Sequence, residues 1–407
     1  MNQNKQNSVL AQPLKLACGI SIPNRIVKSG TSEQLADRFG TPTTDLQQLY
    51  AVWARGGTGL LITGNVMIDH RAFVEPRNVV LENDQHLQSH RLWVKAVHAS
   101  GGKIIMQINH PGRVAVLPLL KRPVGPSAVG LDLPAMNIIR IPRAMTETEI
   151  LEQIQRFAKT AKLAVQAGFD GVQVHAAHGY LISQFLSPLA NKRQDQWGGS
   201  AKNRQRILIE TVKAVRVAIG QDKILSVKLN SADFQRGGLT QEESLEIALA
   251  LEAEGIDLLE ISGGNYESPA QLGYAPERQT ERDAYFIHYA KALRQKSKLS
   301  LMLTGGIRQN STMEELISEN IVDLIGMARP FAMQPDIAKQ VLAGHSVTPQ
   351  DVPSIGYKPV DAYLELAWHA MQFKRISQGL DPKASKGLIP TFLRFAPRMG
   401  LNILTQK

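Results

Sequence analysis

Cysteine is almost missing from this chain of 407 residues, with Cys18 its only example. One thiol excludes an intramolecular disulfide, a cysteine-ligated zinc site and an iron–sulfur cluster. Cys18 reads as a small, half-buried residue rather than a nucleophile. Aromatic residues make up only 6% of the chain. No basic and aromatic module for nucleic acid can be found among them, so nucleic acid is not an expected partner. Long apolar runs are also missing. The best of them, Thr58 to Ile62 and Leu299 to Leu303, are far too short to span a bilayer. The first residues, Met1 to Gln12, are polar and lack the apolar core of a secretory signal, so a cytoplasmic location is expected. The chain is mildly short of acid, with 46 Lys and Arg against 36 Asp and Glu and a net charge of +10. The excess is spread along the sequence and heaviest in the C-terminal tail. It favours anionic partners in a general way and otherwise describes solvated surface.

What is present is an alternation. Hydrophobic residues at 43% and charged residues at 20% suit a globular protein large enough for one big core. Apolar runs fall at Arg25–Lys28, Thr58–Asn65, Lys103–Asn109, Asp170–His175, Ile224–Asn230, Ile256–Ser262, Leu299–Gly305 and Val322–Ala328. They are continuous rather than alternating, as parallel strands covered on both faces require. Amphipathic stretches separate them. One opens on Thr146-Glu147-Thr148-Glu149, a capping box, and stops at Gly168; others run from Asn203 to Ile219 and from Thr240 to Ala253. Eight such units predict an α/β fold, a closed (β/α)8 barrel over residues 1–345. Residues 110–143 after the third strand are too long for a simple connection and read as a lid. Residues 346–407 read as a helical tail packed on the barrel.

The chemistry of such a barrel sits at the C-terminal ends of its strands. Those ends carry Ser29-Gly30-Thr31-Ser32, Gly64-Asn65, Gln107 with Asn109, His175 with His178 and Tyr180, Lys228 with Asn230, Ser262-Gly263-Gly264, Thr304-Gly305-Gly306 and Ala328-Arg329. Gly305 and Gly306 with Arg329 have the form of a phosphate site, bare backbone plus a charged fork. Lys228, late in an apolar strand, is either paired with a neighbouring carboxylate or set against an electron-rich ring. Gln107 offers a donor and an acceptor, either to the edge of a heterocycle or to its barrel neighbours. The segment His175-Ala176-Ala177-His178-Gly179-Tyr180 places two imidazoles that can orient an electron-rich oxygen beside a phenol that can deliver a proton. His175 and His178 also have the spacing of a metal pair, which would make a metal-dependent hydrolase. The cationic set at the other strand ends, Lys228 and Arg329, opposes that reading.

The chain resembles the Old Yellow Enzyme group of NAD(P)H:flavin oxidoreductases over nearly all of residues 13 to 343. The likeness rests on Asn24-Arg25-Ile26-Val27, on Gln107 through His110-Pro111-Gly112-Arg113, on Phe169 through Leu181, and on Asn191-x-Arg193-x-Asp195-x-Trp197-Gly198-Gly199-Ser200-x-x-Asn203-Arg204. The resemblance implies non-covalent FMN in the barrel, NADPH or NADH as reductant, and an electron-poor alkene as substrate in a ping-pong cycle. It implies that Ser29, Thr31, Ser32, Asn65, Gln107, Lys228, Gly305, Gly306, Ala328 and Arg329 hold the flavin. It makes His175 and His178 the binders of the substrate's carbonyl oxygen and Tyr180 the proton donor. The chain departs from the group's common pattern at Thr31 and Ser32, where many members carry Met followed by Thr or Cys. Ala328 stands where glycine is frequent. A flavin-binding barrel without chemistry is the remaining alternative, and the complete His/His/Tyr set argues against it. A homo-oligomer is compatible with the sequence, which does not show one.

Overall fold

The computed structural model describes residues 8–115, 122–131, 141–268, 276–348, 352 and 358–383, with only the helical backbone at 276–284 and 358–363. Parts of the expected lid (116–121 and 132–140), Tyr274, which the sequence reading sets with Phe234 and Tyr266 around the pocket, and the basic tail segment Leu388 to Leu404 lie outside the described residues.

Eight strands form the barrel: β1 Ile26–Lys28, β2 Leu60–Ile62, β3 Lys103–Asn109, β4 Gly171–Ala176, β5 Ile224–Asn230, β6 Leu258–Ser262, β7 Leu301–Thr304 and β8 Leu324–Met327. Each pairs in parallel with the next, and β8 returns to β1 through Ile325↔Ile26, so the sheet has no edge here. Helices α1 Thr44–Arg55, α2 Leu87–His98, α3 Glu147–Gln166, α4 Ala201–Ile219, α5 Gln241–Ala253, α6 Pro276–Arg294, α7 Asn310–Ser318 and α8 Ile337–Leu342 follow the strands in turn. Every residue of β4, β5, β6 and β8 is buried, which is why their sequences do not alternate.

The helices are built as their sequences imply. In α3 the Thr146 side chain accepts from the Glu149 backbone N–H while the Glu149 carboxylate accepts from the Thr146 N–H. Ile150, Ile154, Phe157, Ala161 and Ala164, spaced at three and four residues, bury one face against the barrel. Gly168 then takes φ = +100°, a turn that a residue with a Cβ adopts only at a cost.

The third and fifth expected strands keep their bounds; the other six are trimmed or shifted at their ends, and two of these show local side-chain bonding at the change. The second is shorter than Thr58–Asn65, because side chains take over the ladder beyond Ile62. Thr63 Oγ1 accepts from the Gln107 backbone N–H at 2.8 Å, and Gly64 N–H donates to Glu33 Oε1 at 2.9 Å. The chain leaves the barrel there and resumes as Val66–Met67 beside the end of β3. The fourth begins one residue late, since the Asp170 carboxylate is occupied by the Ile104 N–H and His98 at 2.8 Å each.

Beyond the barrel, helix α9 (Lys358–Ser377) lies against α1. Phe373 stacks edge-on to Trp53 at 5.4 Å, Lys374 pairs with Asp45, and Ser377 donates to Asp45 at 3.2 Å. Among the described residues, no helix is long and apolar enough to cross a membrane.

Candidate active site

The floor of the barrel mouth is a buried polar network. Lys228 on β5 and Glu260 on β6 stand opposite in register, with Nζ 2.9 Å from Oε1. Glu260 also accepts from Ser29 Oγ at 2.5 Å and from Gln173 Nε2 at 2.8 Å, and Gln173 Oε1 accepts from Gln107 Nε2 at 2.7 Å. Burial pulls the Glu260 carboxyl upward, but Lys228 and the Ser29 hydroxyl outweigh it and hold it below its ordinary value. Of the two alternatives for Lys228, the structure shows the pairing with a carboxylate, and the residue also lines a cavity of about 270 Å³ that opens at the barrel mouth. Gln107 likewise satisfies its amide within the barrel, under Gly30. A Cβ at Gly30 would come within 2.6 Å of that amide, so only glycine lets the loop after β1 cross there.

At the end of β4 the histidines and tyrosine meet. The His175 ring stands edge-on to His178 at 5.1 Å and to Tyr180 at 4.7 Å. His175 Nδ1 accepts from the Ala177 N–H at 3.2 Å, which places the ring proton on Nε2, the free donor. His178 sits at φ = +60°, a conformation rare outside glycine, and its N–H donates to Asn230 Oδ1 at 3.1 Å. Its Nε2 lies 2.7 Å from Ser262 Oγ; a hydroxyl that donates to it leaves the ring proton on Nδ1. Burial first, then neighbouring Lys228, depresses both imidazoles well below their ordinary value, with His178 adding to the effect on His175. Both are thus neutral donors. Burial and the nearby Glu75 carboxyl push the Tyr180 phenol upward, so it keeps its proton at neutral pH.

The other end of the cavity is made by Gly305, Gly306, Ala328 and Arg329. Gly305 and Gly306 hold φ of +130° and +67°, with bare backbone where they line the space. Arg329 pairs with Glu365 of α9 at 3.4 Å.

Of the sequence-predicted residues, Ser29, Thr31, His178, Lys228, Gly305, Gly306, Ala328 and Arg329 line one cavity, and His175 and Tyr180 adjoin it through ring contacts. Three are placed elsewhere, the first being Gln107, which does not line the cavity and bonds Gln173 with its amide nitrogen. Asn65 turns to the phenol: its amide donates to Tyr180 Oη at 3.4 Å, because the chain has left the barrel at Thr63. Ser32 Oγ is buried without a hydrogen-bond partner and is not part of the cavity wall. Sequence reading missed Glu260, Gln173, Glu365 and His369. A signal existed for one of them, since Lys228 and Glu260 are the charged residues of consecutive apolar strands at matching depth.

These features fit an FMN site: a wall of bare glycine backbone with an arginine, and a buried cation. The sequence profile of the NADH:flavin oxidoreductase / NADH oxidase family matches residues 9–346. The NADH-dependent flavin oxidoreductase iliE of Hypocrea jecorina (strain QM6a) is 33% identical over 362 residues, 83% of this chain and 90% of that protein. The corresponding iccE of Talaromyces variabilis is 30% identical over 407 residues, 91% of this chain and 98% of that protein. Among solved structures, morphinone reductase superposes with a TM-score of 0.70 at 27% identity, covering 85% of this chain and 92% of that one. The old yellow enzyme homologue from Zymomonas mobilis also superposes at 0.70, with 26% identity, 84% of this chain and 95% of that one covered.

Proposed function

This chain belongs to the NADH:flavin oxidoreductase family, FMN-dependent enzymes driven by NADH or NADPH, and from that premise we propose that it reduces the activated C=C bond of α,β-unsaturated carbonyl compounds. The observation that carries the proposal is the grouping of two neutral imidazoles and one protonated phenol beside the cavity. When bound, FMN supplies the hydride. His175 Nε2–H and the His178 ring hold the carbonyl oxygen of the alkene and take up the charge that grows there as the β-carbon is reduced. The Tyr180 hydroxyl gives its proton to the α-carbon. We assign Lys228, paired with Glu260, to the electron-rich edge of the flavin, and Gln107, its amide nitrogen fixed on Gln173, to the same edge. Arg113, which bonds Gly130 O at 2.9 Å and the Glu267 carboxylate at 2.6 Å, ties the described part of the 110–143 segment to the loop after β6, and we assign that segment to covering the substrate.

Initial rates with NADPH or NADH against 2-cyclohexenone test the proposal. Parallel double-reciprocal lines are expected, since reductant and alkene use the site in turn. A flavin-loaded enzyme that oxidises the nicotinamide without reducing the enone would overturn the substrate class. The metal-dependent hydrolase reading of His175 and His178 gives way to the family assignment.

A further inference from the structure

His369 is the one imidazole on the cavity wall, besides His178, among the described residues. It belongs to α9, beyond residue 346 where the family likeness ends. The residue is 6% exposed, and one ring nitrogen donates to the Glu365 carbonyl one helical turn earlier. Its Nε2 is buried with no hydrogen-bond partner. An apolar side chain would fill the same space between Trp368 and Phe373 without stranding a polar atom. The stranded nitrogen therefore points to a ligand. Its neighbours on the wall say which kind: Arg329 and the bare backbone of Gly305 and Gly306 favour an anion. The Arg329–Glu365 pair at 3.4 Å fixes α9 against the loop that carries the guanidinium.

We propose that His369 completes the phosphate site of the cofactor, its Nε2 bonding a phosphate oxygen, so that the C-terminal helix and not the barrel alone selects FMN over riboflavin. Before the phosphate arrives the ring is neutral, because burial and Arg329 hold it down to about 3. The phosphate reverses that environment. The proton that makes Nε2–H a donor comes from the phosphate monoanion or from solvent.

The test compares dissociation constants of FMN and riboflavin for the refolded apo-protein of wild type, His369→Leu and His369→Gln. A charge-assisted hydrogen bond predicts that His369→Leu weakens FMN roughly ten-fold or more and leaves riboflavin unchanged, with His369→Gln between the two. Equal weakening of both flavins would make His369 a packing residue and overturn the proposal, as would no change in either. A second measurement needs no variant. In wild-type protein with 15N-labelled histidine, the His369 Nε2 resonance should move on FMN binding and not on riboflavin binding. Identical spectra for the two flavins would also overturn it.

Discussion

The Tyr180 hydroxyl lies 3.3 Å from the hydroxyl of Tyr266, on the loop after β6, and this pairing sets what each phenol can do. Tyr180 is buried, whereas Tyr266 is partly exposed. The other neighbour of Tyr180 Oη is the Asn65 amide nitrogen, a donor only, so Tyr266 is the partner able to accept and steady the proton before transfer. Tyr180→Phe is expected to slow reoxidation of the reduced enzyme by 2-cyclohexenone by about 10²-fold or more, and to leave its reduction by NADPH unchanged. Tyr266→Phe should slow the same half-reaction by a smaller factor. Stopped-flow absorbance separates the halves. An equal loss in both halves for Tyr180→Phe would remove it from the proton-donor role.

Neutral imidazoles carry a pH signature. With His175 and His178 both depressed well below their ordinary value, neither changes charge between pH 6 and 9. The affinity for a phenolic ligand such as 4-nitrophenol should therefore follow the titration of the ligand alone, with no step near the ordinary histidine value. His175→Asn or His178→Asn should weaken the complex by roughly ten-fold each. A second inflection near pH 6.5, or undiminished affinity in the variants, would contradict the oxygen-binding role.

The Lys228–Glu260 pair is buried, and each partner depends on the other. Lys228→Met strands the Glu260 carboxylate, at a cost of about 3 kcal/mol of stability. The double variant Lys228→Met with Glu260→Gln should recover most of that loss yet still bind FMN poorly. Urea denaturation of the apo-protein and flavin titration read the two effects. Recovery of FMN affinity in the double variant would show that Lys228 serves the barrel and not the cofactor.

Glu75 supplies a stability test. Its carboxyl, buried near Ser32 and Gln34 and close to Glu33, is raised to about 7. The folded state then binds more protons than the unfolded chain between about pH 4.5 and 7, so this group makes stability fall as pH rises through that window, by about 3 kcal/mol in total. Glu75→Gln should flatten the fall when denaturation midpoints are followed from pH 5 to 8. An unchanged slope would show that Glu75 ionises freely.

The barrel was legible because its strands are mostly apolar runs and several helices open on an ordinary cap or close on a glycine, as at Thr146 and Gly168. The strand ends named the site for the same reason: a polar residue directly after a buried strand has few other places to be. What escaped were partners joined across the fold. Tyr266 is expected at the pocket, but its pairing with Tyr180 is not legible in a loop whose path no periodicity fixes, and His369 lies on a helix whose docking depends on Phe373 and Lys374 meeting α1. The resemblance assigns Ser32 and Asn65 to the flavin site, and neither lines the cavity. Asn65 is turned aside because the side chains of Thr63 and Glu33, bonded to the backbone N–H groups of Gln107 and Gly64, end the ladder before it.

The central claim is that this barrel passes electrons from NAD(P)H through FMN to an electron-poor alkene. Its most direct test is the visible spectrum of the purified, FMN-loaded protein under anaerobic conditions, followed on addition of NADPH or NADH and then of 2-cyclohexenone. The account predicts that the flavin band bleaches with the nicotinamide and returns with the enone. A band that bleaches but does not return would contradict the alkene reading, and a protein that retains no flavin after reconstitution would contradict the site itself.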